Sequence, residues 1–159
     1  MVDSARFRLE INKVEKFKLY NFIKDNDGIA FPQIDSLSPQ ECIELRLKLC
    51  SRLNLKTDRR GYELALTIDR LQTCLKEVRA DDPNFDLEKV LRSISVTCGN
   101  DVFVNWKNFE IIDRIKIRDL SKFFSDIWYP STDDIDVFDS SVSWILSVNH
   151  EGEIRSMHF

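Results

Sequence analysis

Asp133, Asp134, Asp136 and Asp139 crowd into one short stretch near the C-terminal end of this 159-residue chain. Ionised carboxylates offer only acceptor oxygens, which suits them to three kinds of chemistry: holding a hard cation, acid–base work as a pair, or receiving the cationic side chains of a partner. Asp134 and Asp136 are two residues apart. On a strand that rises about 3.3 Å per residue they would share one face, roughly 7 Å apart. With Asp133 beside them they could hold Mg2+ or Ca2+ in a metal-dependent enzyme, but the stretch lacks the central glycine and closing glutamate of the helix–loop–helix calcium loop. Hydrolysis of a glycosidic bond is the other catalytic use of such a pair.

The wider stretch favours the third chemistry. From Phe123 to Ile154 there is no Lys or Arg, while Asp126, Asp133, Asp134, Asp136, Asp139, Glu151 and Glu153 all fall inside it. The whole chain has a net charge of −4, so the remainder carries about +3. A single-sign cluster steers oppositely charged partners and speeds their encounter. Asp126, Asp133, Asp134, Asp136 and Asp139 would then make charged contacts, with Trp128 and Tyr129 as rigid apolar anchors. The simpler readings are a solvated acidic face that aids solubility, and a Trp128 that serves the core.

Other chemistries find less support. His150 and His158 have no Cys or His at metal-ligand spacing, and no nucleophile-elbow glycines accompany the serines. Four glycines form neither a P-loop nor a dinucleotide fingerprint. The expectation is therefore a non-enzymatic protein without cofactor or metal. Cys42, Cys50, Cys74 and Cys98 contain no CxxC pair and read as reduced thiols in a cytoplasmic protein. Met1 to Glu10 carries scattered charges and no apolar run, so neither a signal peptide nor a membrane anchor is expected. The opening segment holds six Lys or Arg up to Lys24 against Asp3, Glu10 and Glu15. That small excess, spread over two elements, reads as a solvated face and not as a nucleic-acid site.

The elements that must position these residues follow from periodicity. Eleven Phe, three Trp and three Tyr supply apolar surface for a folded core within one domain over 1–159. Arg6 to Ile11 alternates like a strand, and a short helix follows from Lys13 towards Gly28. Residues 29–37 read as a loop. Ser38-Pro39-Gln40-Glu41 is a capping-box helix start, and that helix should run to about Leu53. Leu64, Ile68, Leu71, Leu75 and Val78 predict a second helix from about Arg59 to Arg79. Asp82-Pro83 should open a third. Val102 to Trp106 has strand composition, residues 108–118 fit either period, and Asp119 to Ile127 reads as a short amphipathic helix ended by Pro130. Three strands close the chain, over about 134–138, 142–149 and 153–159. The expected fold is α+β, with a helical layer from about 13–95 packed on an antiparallel sheet from about 102–159.

The segments Asp126-Ile127-Trp128-Tyr129-Pro130-Ser131, Asp133-Asp134-Ile135-Asp136, Phe138-Asp139, Ser143-Trp144 and His150-Glu151-Gly152 resemble the C-terminal part of small bacterial proteins. Some of these resemble immunity proteins that neutralise toxins of the contact-dependent inhibition type. The resemblance covers about residues 102–155. It implies a cytoplasmic inhibitor that covers a toxin's active site. The expected partner is then a basic protein, a nuclease-type toxin whose substrate requires a cationic surface.

Overall fold

The computed structural model describes residues 16–55 and 62–159. The strand expected over 6–11 and the link expected between the first two long helices lie outside these residues. Among the described residues the chain runs α1 (Lys16–Asp25), β1 (Ile34–Ser36), α2 (Pro39–Arg52), α3 (Tyr62–Leu71), β2 (Thr73–Arg79), α4 (Leu87–Ser93), β3 (Asp101–Lys107), β4 (Ile111–Lys116), α5 (Ile117–Lys122), α6 (Phe124–Ile127), β5 (Ile135–Phe138), β6 (Trp144–Val148) and β7 (Glu153–His158). The fold class is α+β, with helices mostly in the first half and strands mostly in the second.

The strands form one antiparallel sheet in the order β1-β4-β3-β5-β6-β7-β2. Its core is a meander, as the C-terminal alternation requires. Along β6, Trp144, Leu146 and Val148 enter one apolar cluster and Ile145 enters the other. Both faces of the sheet are therefore covered. The larger cluster takes Phe22 of α1 together with α4, α5 and α6; the smaller takes Cys42, Leu49 and Cys50 of α2 and Leu64 and Ile68 of α3. Helices sit on both sides of the sheet, where the sequence led us to expect one helical layer.

α2 begins as its residues dictate. Ser38 Oγ accepts from Glu41 N at 3.2 Å and Glu41 Oε2 accepts from Ser38 N at 2.7 Å, which satisfies two otherwise unpaired helix-terminal donors. The second helix ends eight residues early. After Leu71 the chain becomes β2, which pairs with β7 through a register shift between Cys74 and Arg79. Leu75 and Val78 still pack on the larger cluster, so a strand with a bulge satisfies the same apolar spacing that suggested a helix. Residues 34–36, expected in a loop, complete the opposite edge as β1.

Three turns differ in detail from their sequence signals. Asp86, not Asp82, caps α4 by accepting from Lys89 N at 3.0 Å, while Asp82 closes a local turn on Asn84 N at 2.8 Å. The ambiguous stretch becomes strand β4, reached from β3 by a tight turn with Asn108 and Phe109 both in the left-handed region. Val142, expected to open β6, instead sits buried in the preceding turn with φ 48° and packs in the smaller cluster.

Candidate functional site

The aspartates of the C-terminal stretch do not gather on one surface. Asp133 is buried and receives an ion pair from Lys18 of α1, Nζ to Oδ2 at 2.7 Å. Lys18 is itself only 1% exposed. Its ammonium also donates to the Ile127 carbonyl at 2.7 Å and lies 4.4 Å from the centre of the Trp106 ring. The second Asp133 bond comes from Tyr129 N at 2.8 Å, while Trp128 Nε1 donates to the Asp133 carbonyl at 2.9 Å. This explains why two expected contact residues are unavailable to a partner: Asp133 and Trp128 are internal, and together they pin the chain where α6 gives way to the sheet. Tyr129 is half-buried against α1, edge-on to Phe17 at 5.2 Å.

The same polar chain continues inward. Trp106 Nε1 donates to Asp113 Oδ2 at 2.9 Å, and Ser36 Oγ donates to Asp113 Oδ1 at 2.7 Å. Burial pushes the Asp113 carboxyl up from the ordinary value, against the opposing effect of these two bonds and of Lys18.

Asp126 and Asp139 stand elsewhere. Asp126, on α6, is half-buried, and that burial raises its pKa against the opposing effect of the nearby Asn26 side chain. Asp139 begins the β5–β6 turn, where it accepts from Ser141 N at 3.0 Å and from the Ser141 hydroxyl. Asp134 and the β6–β7 turn lie at the other end of that pair of strands.

Asp134 and Asp136 do come together, in a groove of about 420 Å3 between α3 and the sheet. Tyr62, Leu66 and Asp69 of α3 line it from the helix, and Glu153 and Arg155 of β7 line it from the sheet. Asp136 is half-buried and held by two neutral donors, Asn105 Nδ2 to Oδ2 at 2.9 Å and the Ser147 hydroxyl to Oδ1. Burial raises its pKa, and the neighbouring charges of Asp134 and Asp69 add to the effect. Asn105 Oδ1 accepts from Phe109 N at 2.8 Å, so the left-handed β3–β4 turn and the Asp136 carboxylate are tied through a single amide. Asp134 sits on the rim and accepts from His150 Nδ1 at 2.9 Å, a bond that raises the His150 pKa. Arg155 spans Asp69 at 3.0 Å and Glu153 at 3.9 Å.

The site thus keeps two of the seven expected residues and adds Tyr62, Leu66, Asp69, Asn105, Ser147, Glu153 and Arg155. A partial signal existed, because the alternation of β6 already put Ser147 on the face opposite Leu146. That β3, β5 and β6 align Asn105, Asp136 and Ser147 is a matter of register, which alternation does not supply. The three carboxylates of the alternative metal reading are divided: Asp133 turns to Lys18, Asp134 to His150 and Asp136 to Asn105 and Ser147. Among the described residues no group of three or more His, Cys, Asp or Glu is arranged to hold a metal ion. Nor, among them, is any helix long and apolar enough to cross a membrane. Compared with protein-family models, curated proteins and solved structures, the chain matches none.

Proposed function

We propose that the protein is a non-enzymatic binding protein whose groove between α3 and the sheet receives a basic protein partner. The observation that carries this reading is the lining of that groove: Asp69, Asp134, Asp136 and Glu153 stand around one concavity beside Tyr62 and Leu66, which are 71% and 45% exposed. Uncovered aromatic and aliphatic groups next to carboxylates make the mixed surface that anchors interfaces, and the negative field would speed encounter with a cationic partner. The resemblance of residues 102–155 to immunity-type proteins supports a more concrete form: a cytoplasmic inhibitor that occludes a basic, nuclease-type toxin.

The test is capture of binding proteins from native cells on the wild-type chain and on Asp134→Lys/Glu153→Lys, followed by nuclease assays on the captured protein. A basic nuclease retained by the wild type, inhibited by it, and lost from the double variant is the expected result. Equal retention by the variant, or a captured nuclease that stays active in the complex, would overturn the proposal.

A further inference from the structure

Building on the groove as a partner site, we infer that its floor is a seat for a single arginine side chain of the partner, in preference to lysine. Three features of different kinds converge on this. The first is the carboxylate's orientation. Each oxygen of Asp136 already accepts one neutral bond, from Ser147 and from Asn105, and both donors are themselves fixed, Ser147 Oγ by Gln72 Nε2 at 2.8 Å and Asn105 by the Phe109 amide. A carboxylate has about four lone-pair positions. Two remain, one on each oxygen, the pattern that a planar guanidinium fills with two parallel bonds and that a point-like ammonium cannot fill.

The second feature is the wall. Tyr62 and Leu66 are one helical turn apart on α3, line the groove, and remain largely uncovered. A guanidinium is weakly hydrated and stacks on aromatic faces, so it gains from such a wall, whereas an ammonium keeps its water. The third is the charge balance of the concavity. Its carboxylates are Asp69, Asp134, Asp136 and Glu153; its cations are Lys107 and Arg155, with Arg155 occupied by Asp69 and Glu153. Asp69, Asp134 and Glu153 each have a basic side chain, Arg155 or His150, within 3.9 Å, whereas Asp136 is held by two neutral donors, and the burial that raises its pKa carries a cost that an incoming cation would offset.

Hexa-arginine and hexa-lysine peptides, titrated calorimetrically into the full-length protein at low salt, separate this inference from the reading beneath it. Asp136→Asn and Tyr62→Ala report on the seat. Asp27→Asn, an exposed change of the same charge outside the groove, controls for net charge, and Asp134→Lys/Glu153→Lys reports on the groove as a whole. We expect hexa-arginine to bind at least tenfold more tightly than hexa-lysine, with the preference abolished by Asp136→Asn, reduced by Tyr62→Ala and unchanged by Asp27→Asn. Equal binding of both peptides, lost on Asp134→Lys/Glu153→Lys but indifferent to Asp136→Asn, would overturn the arginine seat and leave the basic-partner reading standing. Binding that survives Asp134→Lys/Glu153→Lys, or no binding by the wild type, would overturn both. Because Tyr62 is exposed, its variant reports on the seat even where Asp136→Asn perturbs folding.

Discussion

Lys18 shows how much a single residue in this chain has to balance. Taking an ammonium out of water costs several kcal/mol, offset here by the Asp133 carboxylate, the Ile127 carbonyl and the face of Trp106. Lys18→Met would leave the Asp133 charge buried without its cation, and we expect a loss of about 3–5 kcal/mol in urea denaturation. Lys18→Met/Asp133→Asn should recover much of that loss, since the second change removes the stranded charge; a double variant no more stable than the single would show that the pair is not the main term. The titrating groups make a second prediction. Asp113 and Asp136 have pKa values raised by burial, above an unfolded value of about 3.9. Between those values the folded chain holds more protons than the unfolded one, so their contribution to stability falls as pH rises through that window. His150, raised chiefly by its bond to Asp134, contributes stability that is present below about 6.5 and lost as pH rises through its folded value. All three slopes have the same sign. Carboxyl-carbon NMR titration should place the Asp136 midpoint above that of an ordinary aspartate; a midpoint at or below it would contradict a desolvated groove floor.

The β6–β7 turn and the end of α3 carry the lesson at the scale of elements. Gly152 was legible as a turn residue, but not what surrounds it. It lies at φ 84°, and a Cβ there would stand 2.7 Å from Asp81 Oδ1, a carboxylate already held by Arg79 at 2.9 Å. Gly152→Ala is therefore expected to cost about 1–2 kcal/mol, from left-handed strain and from displacing Asp81. A thermal midpoint unchanged from wild type would mean that the turn relaxes freely. The capping box of α2, the closing meander and the chain break at Trp128-Tyr129-Pro130 were all readable, because each depends on neighbours within a few residues. The switch from α3 to β2 was not. Leu71, Leu75 and Val78 keep helical spacing across it, and what decides the outcome is the open edge of β7, which Thr73 to Arg79 can pair.

The whole molecule is built on one sheet whose two faces feed two apolar clusters. Strands β5 and β6 contribute to both. Loss of either cluster should strip support from the other, so Trp fluorescence and far-UV circular dichroism are expected to report a single coincident unfolding transition in urea. Two separated midpoints would show that the faces unfold independently. The sequence by itself determined the α+β class, the antiparallel meander and an uninterrupted acidic stretch, because composition and short-range periodicity govern those. Only the tertiary structure decided where each aspartate went. Asp133 turned inward because Lys18, 115 residues away, meets it in the core, and Asp136 became the floor of a groove because Asn105 and Ser147 stand in register on either side. A carboxylate's role is set by which donors long-range packing brings within about 3 Å of it, and no local pattern in the chain encodes that choice.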